Sequence, residues 1–273
     1  MLLTRDTAPS KAEFIVSADT VCRPANAPVS AIVKPTNYPE LATAAGVVLG
    51  ATEGQLSQLR ALERPTGPEG ESAVAFLRSF ESSSQAAKAL QDGAAKGDDA
   101  ATTASSRSLR TAFDDAGAQA GAYGLGACAA GMKAGVDTLL GGSQSVIKSA
   151  FVVKAENLCR AGAREADKIP EPRADTGAEL ARFLGQLSGI FDKLLADIKG
   201  LPVPPGDETA VAEMLSAQEK ANVKAQELTD AAADEASSRF LAADRELTTL
   251  TTAADAKLDA YGLGTCGSNF GEL

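Results

Sequence analysis

Any chemistry in this chain has to come from carboxylates, hydroxyls, lysines and four cysteines, because its 273 residues include no histidine. Without an imidazole, neither a Ser-His-Asp nor a Cys-His nucleophile pair can be assembled, and no His-ligated zinc, copper, iron or haem site can form. Adjacent acids at Asp98-Asp99, Asp114-Asp115 and Asp234-Glu235 are the right residue types for general acid–base work or for holding a hard cation. Neighbouring residues on a helix point in different directions, however, and no E-x-x-H or EF-hand loop spacing accompanies them. They read as helix starts and solvated faces. No catalytic residue, cofactor or metal site is expected, and the chain is read as non-enzymatic.

The cysteines are more informative. No C-x-x-C redox pair occurs, and the closely spaced ligand pairs of a four-Cys zinc site are missing. Phe14-Ile-Val-Ser-Ala-Asp-Thr-Val-Cys22-Arg23 recurs as Phe151-Val-Val-Lys-Ala-Glu-Asn-Leu-Cys159-Arg160, an offset of 137 (159 minus 22). Tyr123-Gly-Leu-Gly-Ala-Cys128 recurs as Tyr261-Gly-Leu-Gly-Thr-Cys266, an offset of 138 (261 minus 123). Between them Pro39-Glu-Leu-Ala matches Ala178-Glu-Leu-Ala, and Ser72-Ala-Val-Ala matches Thr209-Ala-Val-Ala. Two markers so far apart keep nearly one spacing, which is an internal duplication of a unit long enough to bury its own core. The expected domains are residues 10–142 and 143–273.

One early and one late cysteine per unit is what a closing disulfide, copied with its domain, leaves behind. In an up-down-up-down bundle the start of helix 1 and the end of helix 4 lie at the same end. That selects Cys22 with Cys128 and Cys159 with Cys266 from the three pairings the sequence allows. Disulfides imply an oxidising compartment, so an extracytoplasmic location is expected. A cytoplasmic protein with reduced cysteines is the alternative. The chain opens Met1-Leu-Leu-Thr-Arg-Asp without an apolar stretch of signal-peptide length. Residues 1–9 are expected to be what remains after a signal or anchor was removed, or missed in choosing the start.

The elements that position these residues read as helices, with no competing alternating strand pattern. Ser10-Lys-Ala-Glu13, Asn37-Tyr-Pro-Glu40 and Thr176-Gly-Ala-Glu179 have the form of capping boxes. Pro24 and Pro28 should kink or stop the first helix near Arg23, whereas its copy can run from about Ser145 to Lys168. Leu180, Phe183, Leu187, Ile190, Leu194 and Ile198 step by three or four and mark the clearest amphipathic helix. Gly124 and Gly262, each after a Tyr, supply left-handed helix terminators, and no strand precedes them to suggest a phosphate loop. Residues 129–144, with the Gly141-Gly142 pair, read as a short broken helix or a flexible hinge. The fold class expected is all-α: two tandem homologous antiparallel four-helix bundles, each closed by a disulfide.

The pair of motifs, an early A-[DE]-x-x-C at Ala18–Cys22 and Ala155–Cys159 and a late Y-G-L-G-x-C, resembles the uncharacterised helical domains of secreted or membrane-anchored actinobacterial proteins. Those domains often follow a signal or anchor segment, and the resemblance implies an envelope or extracellular address but no activity. The tandem arrangement and the early prolines of the first unit depart from the family's pattern.

Composition narrows the partners. The net charge of −10 is shared, with 12 basic and 15 acidic groups in residues 1–137, leaving 14 and 21 in residues 138–273. Neither half is a cation, so nucleic acid and anionic membrane surfaces are excluded as expected partners. There is no transmembrane segment, and with no Trp and 4% aromatics there is no stacking platform for bases or sugars. Thr52 and Ser84 fall on apolar seams, which suggests either close helix packing or a small-ligand cavity between helices. The expected function is therefore a non-catalytic binding or spacer protein of the cell envelope, with a protein or envelope component as partner. The alternative is a small-ligand or lipid carrier using a bundle cavity.

Overall fold

The computed structural model describes residues 8–130, 132–172 and 177–270. Its helices are α1 (Lys11–Ser30), α2 (Tyr38–Ala61), α3 (Gly67–Ala95), α4 (Asp99–Tyr123), the single turn α5 (Gly126–Ala130), α6 (Lys133–Ala166), α7 (Gly177–Lys199), α8 (Glu208–Ala233) and α9 (Ser237–Tyr261). The fold is all-α, two antiparallel four-helix bundles in tandem, each closed by a disulfide. Compact units comprise Met1–Ile147 and Lys148–Leu273, so α6 gives residues 133–147 to the first and 148–166 to the second.

Local chemistry accounts for the helix starts. The Ser10 hydroxyl accepts from the Glu13 amide while the Glu13 carboxylate accepts from the Ser10 amide at 2.8 Å. Asn37 accepts from the Glu40 amide at 3.0 Å, and Asp98 caps α4 through the Ala101 amide at 2.9 Å. The backbone and side-chain hydrogen bonds that Glu13 and Glu40 accept hold both carboxyls below their ordinary range. Thr176, the start of the third expected box, lies outside the described residues.

Two expectations are corrected. α1 does not stop at Arg23 but continues through Pro24 and Pro28 to Ser30. Tertiary hydrogen bonds brace the turn that the prolines weaken: the buried Gln55 amide donates to the Cys22 carbonyl (3.1 Å) and to Asn26 (3.3 Å), and Asn26 donates to the Ala127 carbonyl (3.1 Å). Of the two readings of residues 129–144 the broken helix holds, α5 ending at Ala130 and α6 starting at Lys133, and the hinge does not, because α6 continues through Gly141-Gly142. A Cβ on Gly142 would stand 2.2 Å from Pro35, and one on Gly135 would stand 2.0 Å from the Val29 carbonyl oxygen. These glycines are the price of close helix approach, not of flexibility.

Both cores are built on one pattern. Phe14 meets Tyr123 edge-to-face with centroids 5.9 Å apart, and Phe151 meets Tyr261 in the same way at 5.8 Å. Lys11 and Lys148 each sit over the corresponding tyrosine ring, at 4.7 and 4.3 Å. In the first unit one buried cluster runs from Phe14 to Val146; in the second the buried cluster centres on Phe151, Cys159, Ile198, Met214 and Leu258.

Candidate functional site

The clip that closes each bundle explains both sequence motifs. Cys22 bonds Cys128 and Cys159 bonds Cys266, with Cα atoms 5.1 Å apart in each. Gly124 and Gly262, both at φ 102°, end α4 and α9, and the next amides, of Leu125 and Leu263, return to the Ala120 and Leu258 carbonyls at 2.8 and 2.9 Å. Leu125 and Leu263 are fully buried. The acid of each A-[DE]-x-x-C motif then accepts from the amide just before the second cysteine: Ala127 to Asp19 at 3.0 Å, and Thr265 to Glu156 at 2.9 Å. Asp19 and Glu156 are positioning residues that sequence reasoning missed. Their only signal was an acid three residues before a cysteine in both copies.

Asp98, Asp99 and Asp234 have structural partners. Asp98 is an N-cap, and Asp99 accepts from the Tyr38 hydroxyl. That burial, together with the neighbouring carboxylate, pushes the Tyr38 phenol above its usual range. Asp234 pairs with Arg239 at 3.0 Å, and Glu235 makes the α8–α9 turn at φ 51°. Asp114 borders a cavity of about 210 Å³ in the first unit, rimmed also by Arg110, Lys133 and Asp137 and floored by Phe80 and Met132. Arg110 and Asp137 pair at 3.8 Å across that rim. Thr52 is fully buried and donates to the Val48 and Leu49 carbonyls of its own helix, and Ser84 is buried as well. Both belong to close helix packing. Among the described residues no group of three or more metal-ligating side chains gathers, and no helix is long and apolar enough to cross a membrane.

The two units part company on one face. Leu41, Ala45, Val48, Thr52 and Gln55 of α2 are all buried. Their counterparts on α7, each 139 positions later, are Leu180, Leu184, Leu187, Phe191 and Leu194, which are as large or larger, wholly apolar, and only half-buried. The same holds between α4 and α9 at an offset of 138: Thr102, Thr103 and Leu109 are buried, whereas Phe240 and Leu247 are half-buried and Leu241 is 54% exposed. A cleft of about 670 Å³ opens there, walled by Leu180, Ala231, Ala232, Phe240 and Leu241, with Pro172 at its edge. Gly177 lets α7 meet the last turn of α8 at its base, since a Cβ would stand 2.4 Å from the Ala232 carbonyl oxygen. A contiguous half-exposed apolar face of this kind is a feature of binding surfaces, unlike isolated exposed leucines.

No family model, curated protein or solved structure matches this chain.

Proposed function

We propose that this protein is a non-catalytic, extracytoplasmic binding protein of the cell envelope, related to the helical domains of secreted or membrane-anchored actinobacterial proteins that share its two motifs. It acts through the α7–α9 face of the second unit, and the first unit serves as a spacer. The observation that carries the reading is the replacement of buried Ala45, Val48, Thr52, Gln55 and Thr102 by larger apolar groups that stay partly in contact with water. Leaving such groups exposed forgoes about 25 cal/mol per Å² of apolar surface, a cost that binding would recover. The duplicated disulfides support the address, because such bonds persist in oxidising compartments. A photoreactive amino acid placed at Leu241 in cells tests both parts. A discrete adduct with another envelope component is expected from position 241 and not from Val33, an 83% exposed control in the first unit. Equal labelling at both positions, or an adduct with a cytoplasmic protein, would contradict the reading.

A second reading is a carrier of a small apolar molecule or lipid, favoured by the cleft of about 670 Å³, a volume in the range of small-molecule sites. Native mass spectrometry showing a stoichiometric retained lipid, lost on Leu180→Asp, would select it.

A further inference from the structure

In the first unit the counterpart of this face is covered by the chain itself. Residues 132–147 bring Met132, Val136, Leu139, Leu140, Val146 and Ile147 into the core, all buried, while Lys133 and Asp137 stay exposed. This single apolar stripe closes the bundle where α1 has already ended at Ser30. Three contacts place it: Gly135 against Val29, Gly142 against Pro35, and Ser143 hydrogen-bonded to Ser106 of α4 at 2.6 Å. In the second unit α6 ends at Ala166, and Gly162 near that end faces Ile190 and Leu194, not Leu180. The described residues after the clip form turns that place Phe270 on Phe191, with centroids 5.0 Å apart. Among the described residues of that unit no helix takes the covering position.

Resting on the binding reading above, we infer that the α7–α9 face of the second unit receives an amphipathic helix from a partner protein, with an apolar stripe like that of residues 132–147 and basic residues along its edge. The helical form follows from the internal copy, which shows what this bundle takes at that place, and from α7 and α9 as parallel ridges between which a helix packs. The charge follows from the rim. Residues 227–246 carry six acids (Glu227, Asp230, Asp234, Glu235, Asp244, Glu246) against two arginines, and Arg239 is already paired with Asp234. The Lys224 ammonium lies between Glu227 and Glu246 at 2.6 and 2.7 Å, while Glu235 lines the cleft and Asp244, one turn beyond Phe240 on α9, is exposed. A second copy of this chain fits less well, because its own stripe is buried in its first unit.

The test uses the full chain and a labelled synthetic peptide of residues 132–147 carrying Asp137→Lys, followed by fluorescence anisotropy. One saturable site per chain is expected. Affinity should fall at least tenfold for a peptide with Leu139→Ser and Leu140→Ser, and at least tenfold for a chain with Leu241→Asp, a position exposed enough for the fold to tolerate. It should be unchanged for Val33→Asp, and should weaken severalfold on raising salt from low to high. A photoreactive group at peptide position 139 should label α7 or α9, which separates this site from displacement of the native stripe in the first unit. Absence of saturable binding, labelling confined to the first unit, or indifference to both Leu241→Asp and Leu241→Ser would overturn the inference. So would self-association of the chain that Leu241→Asp abolishes, which would make a second copy the occupant. A discrete adduct at position 241 in cells without peptide binding would sink the helix and leave the binding reading standing. Peptide binding without that adduct would do the reverse.

Discussion

The two units share their clip, their Phe–Tyr pair and their helix terminators, yet they settle the problem of a short first helix in opposite ways. The first unit covers its open flank with residues 132–147, and on the flanking helices the small groups Ala45 and Thr102 are buried. The second unit meets the same opening with Leu184 and Phe240, which are only half-buried. Copies of one fold thus diverge at the place where covering is optional and agree where the bundle is tied. The first unit invests in closure; the second keeps an apolar face available.

The largest expected effect that sharpens this contrast is loss of a disulfide. Each bond closes a loop of more than a hundred residues, at sequence separations of 106 and 107. The chain-entropy model assigns such loops about 4–5 kcal/mol. With the smaller buried cluster, the second unit should unfold near 37 °C, roughly physiological temperature, when Cys159 and Cys266 are both changed to Ala. The first unit should keep a cooperative transition without Cys22 and Cys128. Differential scanning calorimetry of the two double variants would show it, and equal behaviour would remove the asymmetry. A smaller effect concerns the covering stripe. Gly135→Ala forces a Cβ onto the Val29 carbonyl and should cost about 1–3 kcal/mol. Gly189→Ala on α7, where nothing stands within 4 Å, should stabilise by up to about 1 kcal/mol. Urea denaturation of both variants measures the opposite signs.

The smallest effect is alkaline. Burial raises all three tyrosines above their ordinary value of 10.0, with Asp207 adding a hydrogen bond and its charge at Tyr261, Asp99 doing the same at Tyr38, and Glu69 adding charge at Tyr123. A raised phenol stays protonated in the fold while the unfolded chain ionises near 10.0, so this contribution is intact below that pH and is lost as pH rises beyond it. The Tyr261 hydroxyl donates to Asp207 at 2.7 Å, while the Tyr123 hydroxyl has no acceptor among the described residues. Asp207→Asn should therefore bring forward the ionisation of Tyr261 without moving Tyr123. Near-ultraviolet tyrosinate absorbance against pH would resolve the two.

What could be read from the chain beforehand was whatever repeats or caps locally. The offsets of 137 and 138 exposed the duplication, three reversals of direction selected the disulfide partners, and glycine after tyrosine announced each helix end. What could not be read depended on a partner distant in sequence. The helix through Pro24 and Pro28 is held by Gln55 and Asn26, which periodicity does not reveal. Gly141-Gly142 has the composition of a hinge, and only Pro35 lying against it turns it into a packing contact. Asp19 and Glu156 stood out only as the acid of a repeated motif, and the amides of Ala127 and Thr265 that lie on them are more than a hundred residues away. The stripe of α7 gave its apolar side correctly but carried no sign of whether anything covers it.

The sulfur bridge also bears on how such a chain can grow. In each bundle the bridge ties the body of the opening helix to the segment just past the last helix, Cα to Cα at 5.1 Å, so each copy carries its own closure. A gene segment encoding one bundle can be copied in series, and each copy brings its closing bond with it. The duplication seen here is one use of that property.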